Sequence, residues 1–490
     1  MDITKKIKSI TTFSALQDFV LTSSPKTLRF AMRRPTLRKL AFKYLEVYLK
    51  QLLMGDIRFS KQMQEDKFYM FKSLMLSIDK IIGNSKGKEF ETALVERFLP
   101  NLIKTMKTTK NAREGFKKEY GIYPPGFLTI SPGKFCNLKC TGCYANSDSV
   151  AGEKLDWSTV DKIVTEKTKD WGSFFTVISG GEPFAWKEDG KGLLELAEKH
   201  PDNFFLVYTN STLITPEIAK KLAKLGNITP AISVEGYEKE TDKRRGKGVY
   251  AKIKSAMESL KKEGVPFGIS VTATKDNAEL VSSDEFMDYY FKKMGASYCW
   301  MFQLMPIGRA GIDMMVTPSQ RLEMLRKVLH QIKAKNYFIA DFWNCGSITS
   351  GCISACKNNG GGYLYIEWNG NITPCVFNPY AVGNINDMYK KGESLNKALV
   401  SDFFTAIRKW QHDYGFARKK DEYGNWILPC PMKDHYGDMK KMITSCNTTP
   451  IDKYAEESIK DSKYEKELTA LDKEQKKVLD PIWENEYLEK

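Results

Sequence analysis

The sequence predicts an α/β protein whose central sheet is mainly parallel, with a helical module before the sheet and a cysteine-rich region after it. Three observations lead to this prediction. Six strand-like stretches alternate with helix-like stretches between residues 127 and 305, apolar residues recur at helical spacing before residue 120, and six of the ten cysteines follow residue 340. Alternating strands and helices form parallel sheets, which are either curled into a barrel or doubly wound.

Pro124-Pro125-Gly126 marks the boundary at which this alternation begins. The predicted strands are 127–131, 174–179, 204–209, 229–234, 267–273 and 297–305. The predicted helices are 157–170, 191–199, 216–225, 250–263 and 284–293. Functional groups of such folds lie at the carboxyl ends of the strands, so motifs that follow a strand are the first candidates for a site.

The composition is that of a globular protein of several domains. The chain has 490 residues, of which 42% are hydrophobic, and no apolar run reaches the roughly 18 residues that cross a bilayer. The amino-terminal stretch contains no apolar signal-peptide segment, so we expect a cytoplasmic protein. In a chain without an export signal, clustered cysteines favour metal ligation over disulfides.

The net charge of +15 is concentrated in the first 120 residues, which hold 25 Lys and Arg against 12 Asp and Glu; the other 370 residues hold 50 against 48. Residues 36–54 have the pattern of a basic amphipathic helix, with Pro35 suited to its first turn and Gly55 to its end. Such a helix either contacts an anionic membrane surface or packs into a bundle with helices predicted at 68–82 and 90–106. No nucleic-acid-reading motif is evident, so no nucleic-acid partner is expected.

Three cysteines, Cys136, Cys140 and Cys143, follow the first strand at the spacing C-x3-C-x2-C. Their thiolates can converge on one soft metal centre, but three ligands close neither a tetrahedral zinc site nor a fully protein-ligated cubane. A cubane on this triad would leave one iron open for an exogenous ligand. The alternatives are a zinc knuckle with a distant fourth ligand, or chance spacing.

Later strands also end in groups that suit a ligand. Gly180-Gly181-Glu182-Pro183 follows the second strand, Thr209-Asn210-Ser211 the third, and Ser233-Val234-Glu235-Gly236 the fourth, which is followed by the segment DKRRG at 242–246. Paired glycines let a ligand approach the backbone closely. In the triad, GGEP, ISVEG at 232–236 and DKRRG, the sequence resembles the radical S-adenosylmethionine (SAM) enzymes over residues 126–310.

This resemblance implies a partial (β/α)6 radical SAM barrel with a [4Fe–4S] cluster on the triad and SAM on its open iron. It implies contacts to SAM from the strand ends: Gly180, Gly181 and Glu182 to the amino group, Ser233 and Glu235 to the ribose, Arg245 to the carboxylate, and Tyr144 with the Leu304-Met305 backbone to the adenine. It also implies an electron donor of the flavodoxin or ferredoxin type.

The region after residue 341 resembles a shortened SPASM domain, which binds auxiliary clusters. Gly370, four residues and then Cys375 match that pattern, and Asn369-Gly370 predicts a hairpin turn between Tyr363–Trp368 and Ile372–Val376. We expect one auxiliary [4Fe–4S] cluster, since no cysteine lies between residues 375 and 430. Its expected ligands are Cys352, Cys375 and Cys430, with Cys345 or Cys356 as the fourth. The alternative is a structural zinc or rubredoxin-like iron site.

Four domains follow from these assignments. They are a basic helical module (1–122), a radical SAM partial barrel (123–315), a linker helix with the SPASM-like auxiliary-cluster domain (316–447) and a C-terminal helical tail (448–490). The tail is expected to pack on the body through Leu471, Leu479, Ile482 and Trp483.

The predicted activity is reductive cleavage of SAM to a 5′-deoxyadenosyl radical, which takes hydrogen from an unactivated C–H bond. The substrate favoured by the basic helical module is a membrane-lipid acyl chain, whose tails would be joined by carbon–carbon coupling, by a protein peripheral on the inner face of the membrane. The overall layout also resembles bacterial enzymes proposed to make membrane-spanning lipids. The alternatives are a SPASM-type peptide or protein maturase and a non-enzymatic cluster scaffold or electron carrier.

Overall fold

A ten-stranded sheet forms the centre of the computed structural model, which describes residue 19 and residues 22–357 and 360–488. Its strands in chain order are β1 (Phe127–Ile130), β2 (Phe175–Ile178), β3 (Phe204–Thr209), β4 (Ile228–Val234), β5 (Gly268–Ala273), β6 (Cys299–Gln303), β7 (Ile339–Asp341), β8 (Tyr363–Ile366), β9 (Asn371–Thr373) and β10 (Gly383–Asn384). Their spatial order is β10-β9-β8-β1-β2-β3-β4-β5-β6-β7. The strands from β8 to β7 in this row are parallel, and β8, β9 and β10 pair antiparallel. The α/β class with a parallel sheet is confirmed.

All six predicted strands are present, and two more join the parallel row. The short strand β7 pairs with β6, with Cys299 opposite Ile339. The predicted hairpin around Gly370 is present, with Ile366 opposite Ile372, but its first strand β8 also pairs with β1. The cysteine-rich region therefore continues the barrel sheet past the boundary predicted at residue 315. Neither additional strand could be predicted as part of the parallel row. A three-residue strand has no detectable periodicity, and a hairpin pattern does not show which strand its outer edge pairs with.

The central strands are buried on both faces, as expected for a parallel sheet covered by helices. Helices that follow the strands are α7 (Trp157–Trp171), α8 (Leu193–Lys199), α9 (Pro216–Leu225), α10 (Glu238–Arg245), α11 (Val249–Glu263), α12 (Ala278–Val281) and α13 (Asp284–Asp288), the last continued by a π-helical turn at Tyr289–Met294. The Thr215 hydroxyl caps α9 by accepting from the Ile218 N–H, and Gly226 ends it in the left-handed region at φ +72°. The helices thus begin at the carboxyl ends of the strands, where the sequence motifs also lie.

The amino-terminal part is helical, as predicted, although residues 1–18, 20 and 21 of the predicted 1–122 module lie outside the described residues. Its helices are α1 (Pro25–Met32), α2 (Pro35–Met54), α3 (Lys61–Ser85), α4 (Glu89–Ala93), a π-helical turn (Leu94–Phe98), α5 (Leu99–Thr108) and α6 (Ala112–Tyr120). The predicted basic helix is α2, and Leu37 is its one fully buried side chain. Nowhere in the described ranges is a helix both long and apolar enough to cross a bilayer.

The remaining helices lie in the carboxyl-terminal part of the chain. They are α14 (Pro318–Lys335), α15 (Gly346–Thr349), α16 (Ile385–Lys390), α17 (Asn396–Leu399), α18 (Asp402–Tyr414), α19 (Tyr436–Ser445), α20 (Lys453–Lys460) and α21 (Ser462–Ile482), followed by a π-helical turn at Trp483–Tyr487. The four tail residues expected to pack on the body do so, with Leu479 and Trp483 fully buried. Residues 489 and 490 lie outside the described residues.

Candidate cluster and cofactor sites

The loop after β1 brings Cys136, Cys140 and Cys143 together. The pKa of Cys136 is raised to about 12, mainly by burial and also by the charges of Glu182, Cys140 and Cys143, so the three thiols lie near enough to interact. Arg309 fixes this loop by donating hydrogen bonds to the Cys140 carbonyl (3.2 Å) and the Ser147 carbonyl (2.8 Å). All three cysteines are free thiols and thus available as ligands.

The loop after β2 packs backbone to backbone against the triad loop. The Gly181 N–H donates to the Gly133 carbonyl (3.0 Å) and the Glu182 N–H to the Phe135 carbonyl (2.8 Å). A Cβ atom on Gly181 would lie 2.0 Å from the Phe135 oxygen, and Gly180 adopts φ +116°. Glycine is therefore required at both positions, because any side chain would separate the two loops. Since the Gly181 N–H is already bonded inside the protein, a bound ammonium group would meet carbonyl oxygens here.

Glu182 is fixed beside the triad by groups at the end of β3. Its Oε1 accepts from the Thr209 hydroxyl (2.7 Å) and the Phe184 N–H (3.1 Å), and its Oε2 accepts from the Asn210 N–H (2.8 Å). Burial raises the pKa of Glu182 to about 7. Asn210 also reaches the triad, with its Nδ2 3.7 Å from the Cys136 sulfur. The carboxylate is thus held in place for a cationic ligand group before that ligand arrives.

Glu235, at the end of β4, accepts hydrogen bonds from two adjacent arginines. Arg244 Nη1 lies 2.5 Å from Oε2, and Arg245 Nη2 lies 2.5 Å from Oε1, while the carboxylate is only 1% exposed. The sequence assigned Glu235 to the SAM ribose and Arg245 to the SAM carboxylate, whereas the structure pairs these side chains with each other. The role of Arg244 was missed, although it lies in the same DKRRG segment. Two guanidinium groups around one carboxylate leave a net positive charge close to Cys140. Burial raises the pKa of the Cys140 thiol, and Arg245 partly offsets this rise.

The remaining predicted SAM contacts surround the same loop. The Tyr144 hydroxyl lies 2.6 Å from the Ser179 hydroxyl and accepts from the Gly180 N–H at 3.3 Å. Leu304 is buried directly after β6, and its Cδ1 would be 3.4 Å from a Cβ atom on Gly142. Ser233 is half-buried on β4. Most residues predicted to contact SAM therefore lie on a strand or in the loop that follows it, and Arg245, at the end of α10, reaches this region through its ion pair with Glu235.

A second group of thiols is formed by Cys352, Cys375 and Cys430. The pKa of Cys375 is raised to about 12, mainly by burial and also by the neighbouring Cys352 thiol. Burial also raises the pKa of Cys430, and the nearby Asp434, Cys352 and Cys375 add to this effect. Among the described residues, no three His, Cys, Asp or Glu side chains converge tightly enough for a single metal ion. A cubane does not require such convergence, because each thiolate binds a different iron.

The Cys345 and Cys356 thiols have other neighbours, although the backbone of Ala355, next to Cys356, donates to the carbonyl of Pro374, next to Cys375, at 2.9 Å. The Cys356 thiol donates to the Tyr123 carbonyl (3.1 Å) from a residue at φ +58°, and Arg408 and Arg113 are the charged groups that affect its pKa. Cys345 lies directly before α15, where Asp341 and Asp66 are the charged groups that raise its pKa in addition to burial. Spacing alone could not reveal this, since it does not fix where a side chain points. Cys299 is fully buried in β6, as predicted for a core thiol.

An aromatic cluster that the sequence did not predict joins the segments that carry the two triads. The Phe377 ring lies 6.2 Å from the Tyr144 ring, 4.8 Å from the Trp343 ring and 5.9 Å from the Phe302 ring. Tyr144 directly follows Cys143, and Phe377 lies two residues after Cys375. The two cysteine-containing segments therefore contact each other through these aromatic rings. These rings come from distant segments, so no local sequence pattern could have united them.

The stability of the protein without ligands should depend on pH through Glu182. Its pKa of about 7 in the folded state exceeds the ordinary value of 4.5, so the folded state binds more protons than the unfolded state. Stability should then fall as pH rises from about 4.5 to 7, by ~3 kcal/mol in total. We expect Glu182→Gln to be less sensitive to pH over this window in anaerobic urea unfolding. Equal slopes for wild type and variant would contradict the assignment.

Comparison with known proteins agrees with this geometry. Residues 130–283 match the Radical SAM superfamily, and residues 356–425 match the SPASM iron–sulfur cluster-binding domain. The AdoMet-dependent heme synthase of Methanosarcina barkeri is 28% identical over 281 residues, which cover 51% of this chain and 77% of the relative. A cysteine-type anaerobic sulfatase-maturating enzyme of Clostridium perfringens is 26% identical over 307 residues, covering 55% and 80%. The mycofactocin maturase MftC of Mycolicibacterium smegmatis is 32% identical over 170 residues, covering 34% and 42%.

The fold is also similar to that of a solved structure. SuiB of Streptococcus suis bound to S-adenosylmethionine matches with a TM-score of 0.50 at 18% identity, covering 66% of this chain and 77% of SuiB. The matched domains bring a SAM-binding [4Fe–4S] cluster, SAM and auxiliary iron–sulfur binding as cofactors, and the free thiols of both triads fit such clusters. The chain is therefore a radical SAM enzyme that carries a SPASM domain.

Proposed function

We propose that this enzyme uses SAM to abstract hydrogen from a C–H bond of a peptide or protein. The observation that carries the chemistry is the convergence of the triad, Glu182 and the Glu235–arginine group at one edge of the sheet. When bound and reduced, the cluster supplies the electron that cleaves SAM to methionine and a 5′-deoxyadenosyl radical. A flavodoxin- or ferredoxin-type protein is the proposed electron donor.

The chain's own residues bind and orient SAM in this proposal. Cys136, Cys140 and Cys143 are the cluster ligands. The carbonyl groups of the Gly180-Gly181 loop and the Glu182 carboxylate hold the amino group of SAM. Arrival of an ammonium group favours ionised Glu182 and so lowers its raised pKa.

The groups at the ends of β4 and β6 hold the other parts of SAM. The positive charge left by Arg244 and Arg245 around Glu235 attracts the SAM carboxylate. Ser233 is the remaining ribose contact, and Glu235 reaches the ribose only if one arginine releases it. Leu304 and Tyr144 form the adenine surface. Because these groups are buried or half-buried, they also exclude water from the radical.

A peptide substrate fits the relatives better than the lipid acyl chain that the basic helix suggested. The maturases of Clostridium perfringens and Mycolicibacterium smegmatis are named for maturation of other molecules, and the sporulation killing factor maturation protein SkfB of Bacillus subtilis is a further match at 26% identity. No observation of the structure favours carbon–carbon coupling of acyl tails. The heme synthase of Methanosarcina barkeri supports a second candidate class, the iron porphyrins.

Substrate class can be tested through SAM cleavage. The anaerobically reconstituted enzyme with dithionite should form 5′-deoxyadenosine from SAM, and Cys140→Ala should abolish this while Cys446→Ser, which changes a thiol outside both triads, should not. A pool of synthetic peptides should stimulate 5′-deoxyadenosine formation and lose hydrogen, seen by mass spectrometry. Stimulation by iron coproporphyrin III alone would favour the second class, and stimulation only by phospholipid vesicles would contradict the peptide proposal.

We further propose that Cys352, Cys375 and Cys430 bind one auxiliary [4Fe–4S] cluster. The SPASM match begins at Cys356, which makes this residue the strongest alternative ligand. Alanine at any of the three proposed ligands should remove about four irons per chain, whereas Cys345→Ser and Cys356→Ser should retain them. Iron and sulfide assays after reconstitution measure this, and loss of iron in Cys356→Ser would make Cys356 a ligand.

Peripheral membrane contact through α2 remains a separate proposal. Val47 and Leu52 are 49% and 54% exposed on this helix, beside the exposed lysines Lys39, Lys43 and Lys50. Arg38, on the same helix, argues against membrane contact, because its guanidinium group already forms an ion pair with Asp79 at 2.7 Å.

Flotation with anionic vesicles tests the contact. Wild type should float at low salt and less at high salt, and Val47→Ser combined with Leu52→Ser should reduce flotation at both. Lys477→Ser, which removes an exposed lysine on the distant helix α21, is the control and should float like wild type. Absence of wild-type flotation at low salt would end this proposal.

A further inference from the structure

Two lysines follow cysteines of the second triad in the chain, Lys357 half-buried and Lys433 buried. Lys433 is fully buried, and its Nζ donates to the Gln303 Oε1 at 2.5 Å and lies 5.4 Å above the Trp343 ring. Lys357 donates from Nζ to the carbonyl groups of Thr349 and Ser350, the latter at 2.6 Å. Burial lowers the pKa of Lys433 to about 7 and of Lys357 to about 8. Lys433 lies in the turn that follows Cys430, since its N–H donates to the Cys430 carbonyl at 3.3 Å, and Lys357 lies five residues after Cys352.

Neither ammonium group has a carboxylate within ion-pair distance among the described residues. The carboxylates nearest to Lys433 are committed elsewhere, because Asp434 binds Arg321 at 2.5 Å and Asp341 accepts from the Asn344 side chain at 2.7 Å. Near Lys357, the sole charged group with a resolved effect on its pKa is the Cys352 thiol. Burying an unpaired charge is costly, so an anionic partner is expected at this place.

At the first triad, the cationic side chains are paired with an acid. Its arginines, Arg244 and Arg245, share the Glu235 carboxylate. At the second triad, Asp434 accepts from the Cys430 N–H at 3.1 Å, but its carboxylate is ion-paired with Arg321 and with neither lysine. A cluster bound by thiolates is itself anionic and would supply the missing negative charge on Cys352, Cys375 and Cys430.

We propose that Lys357 and Lys433 are the counter-charges of the auxiliary cluster and raise its reduction potential. This inference rests on the proposed assignment of that cluster to Cys352, Cys375 and Cys430. A fixed positive charge in a poorly solvated site favours the state with one more electron, so each lysine makes the cluster easier to reduce. The lysines act through the cluster's electrostatics and are positioning residues, not groups that touch the reacting atoms.

Gln303 links one of these lysines to the SAM site. It is the last residue of β6 and directly precedes Leu304, the proposed adenine neighbour. Its Oε1 accepts from Lys433, and its buried Nε2 has no hydrogen-bond partner in the part of the chain that the structure describes. The lysine is thereby anchored to the barrel rather than to its own loop, which fixes its position relative to both triads.

The experiment measures the potential of the auxiliary cluster without the first cluster. In the full-length chain with Cys136→Ala, Cys140→Ala and Cys143→Ala, the remaining iron belongs to the second triad. Redox titration followed by electron paramagnetic resonance then compares Lys357→Met and Lys433→Met with this background. We expect each change to lower the reduced-to-oxidised ratio at a fixed potential about tenfold, a downward shift of about 59 mV for a one-electron couple.

Two sets of variants separate charge from packing. Lys357→Arg and Lys433→Arg keep the charge and should stay close to the background. Lys167→Met is the matched control, since Lys167 is also fully buried and donates to the Ser173 carbonyl at 2.9 Å and to Asn203 Oδ1 at 2.6 Å. Lys167 lies on α7, and these two partners precede β2 and β3, at the amino ends of the strands. It should leave the potential unchanged.

Each outcome distinguishes this inference from the cluster assignment. Iron present with an unmoved potential in both methionine variants overturns the role of the lysines alone. Loss of the cluster in the methionine variants with retention in the arginine variants supports charge compensation, whereas loss in both sets contradicts it. Absence of iron in the triple-alanine background removes the auxiliary site itself, and the inference with it.

Discussion

The close backbone contact between the loops after β1 and β2 is the constraint on which the first site depends. Gly181 has no room for a Cβ atom against the Phe135 carbonyl, and the hydrogen bonds from Gly181 and Glu182 join the two loops. This contact places the Glu182 carboxylate next to Cys136. Parallel pairing of β1 with β2 brings the loops to the same edge, so the sheet and the two glycines together determine where a cationic ligand group can lie.

Much of the barrel and of this site could be predicted from the sequence. Strand–helix alternation revealed all six central strands, because each has a long enough apolar run, and GGEP and ISVEG marked strand ends that do converge. What local pattern could not show was pairing at a distance. The β8–β1 pairing and the aromatic rings around Phe377 join segments far apart in the chain, and the Arg244 contact to Glu235 depends on how α10 turns back toward the end of β4.

The auxiliary site also shows what local sequence patterns could not predict. Six cysteines after residue 340 predicted a metal centre, and the structure assembles three of them. Spacing could not separate these three from the others, because it does not show where a thiol points. Cys356, for example, occupies a left-handed conformation that directs its sulfur to the Tyr123 carbonyl. Net charge was informative for the helical module but not for Lys357 and Lys433, which matter because neither forms an ion pair with a carboxylate among the described residues.

The contact between α3 and the loop after α15 has a consequence for the limits of the enzyme. Lys67, on α3, donates to the Ile348 carbonyl at 2.5 Å and to the Ser350 hydroxyl at 2.9 Å, next to the carbonyl groups that Lys357 binds. Its neighbour Asp66 accepts from Tyr487 near the other end of the chain at 2.9 Å. A shortened chain that began at the barrel would leave these polar groups without partners. The smallest intact catalytic unit therefore extends from the amino-terminal helices to the carboxyl-terminal tail.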